Sequence, residues 1–247
     1  MKNNFYFKEP FFNIYKLPNI RSEVTSQILY GERFKILSKK KGWIKIKSLY
    51  DRYSGFIKNK NYVKELNISH KVSNIEANVF KNPNTKTKKI LYFGSKLSVL
   101  EKRNGFARFE KNQWVKSKDI KKITHKEKNF VKILKLFLKT KYVWGGKTNK
   151  GIDCSALLQI FFYYNNLFYP RDTKDQIKYS KKKISKKFKK GDIIFWEGHV
   201  AICINSKQLI HAYGPEKRVI VMPINKTIKR ILNTANLKVR KISKINF

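Results

Sequence analysis

Tyr142-Val-Trp-Gly-Gly-Lys-Thr-Asn-Lys-Gly-Ile-Asp-Cys154-Ser-Ala-Leu-Leu-Gln159 sets a cysteine at the point where a glycine-rich turn gives way to an apolar run. Gly145, Gly146 and Gly151 permit tight turns, and beyond Ile152 the residues Ala156, Leu157, Ile160, Phe161 and Tyr164 recur at spacings of three and four. The spacing predicts an amphipathic helix beginning near Asp153. A thiol in its first turn would lie beside unpaired backbone N–H groups and the positive end of the helix dipole, so the expectation is a lowered pKa and a nucleophile.

A nucleophilic thiol needs a base, and the chain has four histidines, His70, His125, His199 and His211. His199 opens the apolar run Val200-Ala-Ile-Cys-Ile204, and Gln208-Leu-Ile-His211-Ala212 closes another, with Asn205-Ser-Lys207 between them as turn chemistry. A hairpin over these residues would bring the two imidazoles near each other across the strands, to within a register step or two. A cysteine at a helix start, a histidine on a strand and a second polar group orienting it form the general arrangement of thiol hydrolases. A Cys154, His199 and His211 zinc site is the other reading of these residues, and no fourth ligand or Cys-x-x-Cys accompanies it.

The blocks Tyr-x-Trp-Gly-Gly, Asp-Cys-Ser, Gly-Asp-Ile-Ile-Phe-Trp, Gly-His-Val-Ala-Ile and Leu-Ile-His-Ala, in this order, resemble the NlpC family of papain-like bacterial cell-wall cysteine peptidases. The resemblance covers residues 128–247. It implies Cys154 as nucleophile, His199 as base and His211 as the orienting group, with no metal or other cofactor. The Tyr142 hydroxyl would join the Cys154 backbone N–H at the oxyanion, and Trp144 would wall the cleft. The fold implied is α+β, a helix carrying the cysteine packed on an antiparallel sheet.

With 41% hydrophobic and 14% aromatic residues over 247 positions the chain can bury real cores. It has no apolar run long enough for a membrane span, and Met1 to Pro10 lacks the apolar core of a signal peptide, so the expectation is a cytoplasmic monomer. Cys203 falls in a predicted strand and reads as a small core residue. The net charge of +41 could attract polyanions, but the lysines are scattered. Clusters such as Lys39-Lys-Lys41, Lys121-Lys122 and Lys186 to Lys190 read as solvated faces, and no specific nucleic-acid partner is expected.

Ahead of the cysteine the sequence repeats itself. Asn13-Ile-Tyr-Lys-Leu-Pro-Asn19 recurs as Asn78-Val-Phe-Lys-Asn-Pro-Asn84, Ile28-Leu-Tyr-Gly as Ile90-Leu-Tyr-Phe-Gly94, Gly42-Trp-Ile-Lys-Ile46 as Gly105-Phe-Ala-Arg-Phe109, and Phe56-Ile-Lys58 as Trp114-Val-Lys116. Each copy is a set of short β-patterned segments, which suits a small barrel. The copies resemble two bacterial SH3-like domains, over 8–66 and 75–124. Asn67 to Asn74 and Lys116 to Lys128 are expected as linkers, giving His70 and His125 no site role. Phe130 to Leu138 is expected as a helix, and Ile228 to Phe247 as strand and coil.

Two such modules before an NlpC-type domain narrow the resemblance to the γ-D-glutamyl-L-diamino-acid endopeptidases, which act on murein stem peptides. That resemblance implies a free N-terminal L-Ala on the substrate, its ammonium held by Glu23, Tyr53 and Asp153, in keeping with the need of a desolvated cation for acceptors. Ser155 and Thr173 would hydrogen-bond the D-Glu carboxylate, and Asp172 beside them joins the substrate-binding set. The implied function is cleavage of the γ-D-glutamyl-diamino acid bond in muropeptide recycling. The alternatives are an exported hydrolase acting on intact murein, or a basic non-catalytic binding protein of wall or nucleic acid.

Overall fold

The computed structural model describes residues 4–59, 61–184 and 187–245, in two compact units, Met1–Glu127 and Lys128–Phe247. Lys186 of the basic run, Met1 to Asn3 and the last two residues of the expected C-terminal segment lie outside the described residues. Among the described residues no helix is long and apolar enough to cross a membrane.

In the first unit, alternation builds the sheets. Phe34, Ile36, Ile44 and Ile46 point into a core with Phe7, Ile14, Ile28 and Ile57, while Arg33, Lys35, Lys45 and Lys47 alternate outward. The first antiparallel sheet takes in Asn4–Phe7, Phe11–Tyr15, Val24–Leu29, Arg33–Lys40, Trp43–Ser48, Ser54–Lys58 and Tyr62–Val63. The repeat seen in the sequence is a repeat of register. Trp43 pairs with Lys58 as Phe106 pairs with Lys116, and each copy turns through two residues of positive φ, Lys41-Gly42 at 41° and 76° and Asn104-Gly105 at 48° and 76°. Two successive positive φ values match the strand twist of a tight hairpin.

The stretches expected as linkers contain strands. His70–Val72 pairs on one side with Lys96–Leu97 and on the other with Ile120–Lys122, and Val72 and Ile120 enter the second core with Val79, Leu91, Leu97 and Val115. Strands of three residues are too short to show a period, and Lys71 disguises one of them. Lys71 is 1% exposed and donates from Nζ to the His125 carbonyl at 2.7 Å.

The two repeats are also joined through Tyr30, which packs in the second core, 5.6 Å from the Phe109 ring, with its hydroxyl on the Glu110 carboxylate and its carbonyl accepting from Lys96 N at 2.9 Å. The next residue, Gly31, has φ +73°, and a Cβ there would lie 2.0 Å from the Lys96 carbonyl oxygen. Gly31→Ala should therefore destabilise this unit by about 1–3 kcal/mol or more, through strained φ and a backbone clash. A melting temperature equal to that of the parent protein would show that the junction yields.

The second unit is a five-stranded antiparallel sheet in the order Arg218–Pro223, Gln208–Tyr213, His199–Cys203, Asp192–Trp196 and Lys241–Lys244. The helix Cys154–Tyr164 packs on its central strands, and Phe130–Leu136 packs against that helix through Phe130 and Phe161. The expected amphipathic helix is in fact buried all round, with every residue from Cys154 to Tyr164 inaccessible. The sheet, the first helix and the following loop, where Tyr169 stacks on Phe162 at 4.1 Å, enclose it between them.

The C-terminal segment also departs from expectation, since Ile224–Ala235 is helical before the strand Lys241–Lys244. Its Ile, Thr and Asn residues are weak helix formers, which hid it. Packing decides: Ile224, Thr227 and Ile231 recur at helical spacing, and the two isoleucines join a core with Ile194, Trp196, Ala201, Cys203 and Leu209.

Candidate active site

Cys154 is the first residue of the buried helix, and Asp153 caps it, its Oδ1 accepting from Ala156 N at 2.8 Å. The thiol is 4% exposed and points to the Gly198 carbonyl oxygen at 3.9 Å, one residue before His199. The Val200 backbone N–H and the Thr173 hydroxyl both donate toward the sulfur.

His199 and His211 meet as the hairpin spacing predicts. The register Ile202↔Ile210 and Cys203↔Leu209, carried along the ladder, sets His199 diagonal to His211 on one face, and the rings meet at Nε2 to Nδ1, 3.0 Å. His211 stacks on Tyr213 at 4.6 Å and turns its Nε2 to the Met222 sulfur at 3.4 Å. A thioether can only accept, so hydrogen-bond logic assigns the His211 proton to Nε2. Its Nδ1 then accepts from His199 Nε2–H, and the lone pair of His199 is left on Nδ1. His199 is thus held in the tautomer whose Nδ1 carries the lone pair.

The electrostatics reverse one expectation. Burial pushes the Cys154 thiol up to about 11, with the Asp153 charge adding to it, against the opposing pull of Val200 N–H, Thr173 and Arg171. Burial lowers His199 to about 4, and His211 also falls well below its usual value through burial, His199 and Arg230. The first-turn position does not yield a lowered pKa, because the site is closed and desolvation outweighs the helix terminus. Both shifts favour a neutral thiol and a neutral imidazole at neutral pH.

Two pH dependences follow. Iodoacetamide alkylation of Cys154 should keep rising through the alkaline range rather than level off near pH 6, and Cys203, buried and pushed up to about 12, should react more slowly still. Turnover should fall as pH drops through about 4, where His199 takes up a proton and ceases to be a base. An alkylation rate already flat at pH 6, read by mass spectrometry of the labelled peptides, would restore the thiolate.

The remaining expected residues divide. Tyr142 is half-buried near Cys154 and Asp153, whose charges, after burial itself, raise its hydroxyl pKa. Trp144 is 58% exposed. Asp172 is half-buried, its carboxyl raised by burial despite Arg171, and no hydrogen bond engages its carboxylate among the described residues. In the first unit, Glu23 is solvent-accessible and ion-paired to Lys16 at 3.3 Å, and Tyr53 N donates to Asp51 Oδ1 at 3.1 Å.

Asp153 and Ser155 are engaged within the protein. Asp153 Oδ1 accepts from Ala156 N, Ser155 Oγ and Arg171 Nη1, and its Oδ2 accepts from Gly145 N and Arg171 Nη2. That fills its capacity and leaves no lone pair for a substrate ammonium. The Ser155 hydroxyl is taken up in the same network, donating to Asp153 and accepting from Arg171 Nη1 at 2.9 Å. Sequence reasoning passed over Arg171. A signal existed: an arginine in a chain dominated by lysine, next to Pro170, suits a bidentate fork that lysine cannot make. In the zinc reading His211 has no nitrogen left for a metal, since its Nδ1 faces His199 Nε2 and its Nε2 faces the Met222 sulfur.

Residues 139–235 match the NlpC/P60 family model, and residues 14–61 match the model of the bacterial dipeptidyl-peptidase SH3 domain. The chain is 26% identical over 229 residues to Dipeptidyl-peptidase 6 of Lysinibacillus sphaericus, covering 81% of this chain and 84% of that one. It is 24% identical to the Gamma-D-glutamyl-L-lysine dipeptidyl-peptidase of Bacillus subtilis strain 168, covering 83% and 77%. The crystal structure of an NlpC/P60 family protein from Bacillus cereus ATCC 10987 shares the fold, with a TM-score of 0.77 at 18% identity over 90% of this chain and 94% of that one. Residues 139–235 thus belong to a cysteine-peptidase domain of the NlpC/P60 family, with a bacterial dipeptidyl-peptidase SH3 domain ahead of it.

Proposed function

We propose that the protein hydrolyses the γ-D-glutamyl-diamino acid bond of murein stem peptides whose N-terminal L-Ala is free. The observation that carries this reading is the Cys154, His199 and His211 arrangement in a chain that aligns along most of its length with two dipeptidyl-peptidases, one of them named for the γ-D-glutamyl-L-lysine bond. In the proposed reaction His199 Nδ1 takes the thiol proton as Cys154 Sγ attacks the γ-carbonyl. The oxyanion is met by the Cys154 backbone N–H and the Tyr142 hydroxyl. His199 then gives its proton to the leaving amine, and water hydrolyses the thioester.

In the catalytic unit Asp172, rather than Asp153, is the carboxylate with acceptor capacity for the ammonium. A requirement for a free amine selects peptides already released from the glycan, which fits recycling in the cytoplasm. Mass spectrometry of L-Ala-γ-D-Glu-diaminopimelate incubated with the purified protein should show L-Ala-D-Glu and free diaminopimelate. Release of peptides from intact murein, with the tripeptide untouched, would replace this reading by the exported hydrolase.

A further inference from the structure

We propose that Arg171 is a positioning residue of the reaction, locking the start of the cysteine helix to the Tyr142–Gly146 loop by clamping Asp153. The clamp is a fork on a fork, Nη1 to Oδ1 at 3.0 Å and Nη2 to Oδ2 at 2.6 Å, with side chains 1% and 6% exposed. Each carboxylate oxygen also holds a different piece of the site. Oδ1 receives Ala156 N of the cysteine helix at 2.8 Å, and Oδ2 receives Gly145 N of the loop at 3.0 Å.

The guanidinium reaches both pieces itself, through Ser155 Oγ at 2.9 Å and the Gly146 carbonyl at 3.5 Å. Its own backbone is fixed, because Gln176 Nε2 donates both to the Pro170 carbonyl and to the Ser155 carbonyl at 2.9 Å each. The two groups assigned to the oxyanion, the Cys154 backbone N–H and the Tyr142 hydroxyl, belong to the two pieces that the clamp joins. A shift of one against the other would separate them, and misplacement by about 1 Å can cost on the order of a hundredfold in rate.

The clamp has an electrical side as well. Asp153 raises the thiol pKa and Arg171 opposes it. Tyr142 on the loop feels the charge of Cys154, His199, backed by His211, follows the Gly198 carbonyl that the thiol faces, and Asp172 is the N-cap residue of the helix Thr173–Tyr179, next to Arg171. Among the described residues the positive charge acting on the thiol is Arg171, so its loss leaves Asp153 unneutralised beside the sulfur. This inference rests on the cysteine-peptidase assignment and not on which murein peptide is cut.

Arg171→Met, Arg171→Lys and the neutral pair Asp153→Asn with Arg171→Met test it, read by kcat and KM on the peptide cleaved and by the pH midpoint of Cys154 alkylation. Arg171→Met should lower kcat by about ten- to a hundredfold with KM changed little, and should move the midpoint upward. Arg171→Lys keeps the charge without the fork, so the midpoint should stay while kcat remains low. The neutral pair avoids a lone buried charge and so should fold, with a low kcat and a midpoint no higher than the parent's. Where Arg171→Met does not fold, the other two variants decide. Folded variants with kcat within twofold of the parent, or a midpoint unmoved by Arg171→Met, would overturn the assignment and leave Arg171 a purely structural residue.

Discussion

Cys154→Ser should abolish turnover, a loss on the order of 10⁴-fold or more, with the folded state intact. The sulfur is the one group near the Gly198 carbonyl, Val200 N–H and Thr173 hydroxyl that can become a nucleophile, and a hydroxyl has a far higher pKa in a site already hostile to charge. His199→Ala should cost about as much, because a thiol pushed up to about 11 does not ionise by itself at neutral pH. Since the two act as one unit, the double variant should be scarcely worse than either alone. His211→Ala should lose less, on the order of 10²–10⁴-fold, because it orients the base and sets its tautomer without touching the substrate. A His199→Ala enzyme retaining a tenth of the parent kcat/KM would assign the base elsewhere.

That the candidate cysteine and the paired histidines are legible in the sequence has a physical origin in the site's economy of parts. The glycines before Asp153 and the apolar run after Cys154 announce a turn and a helix. The hairpin brings His199 and His211 onto one face by the period of a strand alone, and the diagonal offset observed between them lies within the register margin. The repeat in the first unit was legible because hairpin turns and cross-strand pairs recur with the sequence.

What stayed hidden depended on partners distant in the chain. Asp153 looks available until Arg171, brought in by the Pro170 loop, occupies it, and Ser155 goes with it. The thiol's pKa was misjudged for the same reason: position in a helix can be read from sequence, whereas enclosure by sheet, loop and neighbouring helix cannot. His70–Val72 escaped because a strand with a buried lysine has no visible pattern, and Ile224–Ala235 because packing overrode weak propensity.

The second large effect concerns the substrate's amine. If a free ammonium is what Asp172 recognises, then N-acetyl-L-Ala-γ-D-Glu-diaminopimelate should be cleaved at least ten- to a hundredfold more slowly in kcat/KM than the free peptide. Acetylation removes the positive charge, adds bulk and leaves desolvated acceptors unmet, at roughly 1–3 kcal/mol for each such group. Asp172 is the sharper probe in the catalytic unit, since burial has raised its carboxyl and a bound ammonium would draw it back to the charged form. Asp172→Asn should therefore erode the preference for the free amine, whereas Asp153→Asn should act on kcat for both peptides alike. Equal rates on acetylated and free peptides by the parent enzyme would remove the ammonium from the recognition scheme. They would point instead to stem peptides still attached to glycan, where that nitrogen is an amide.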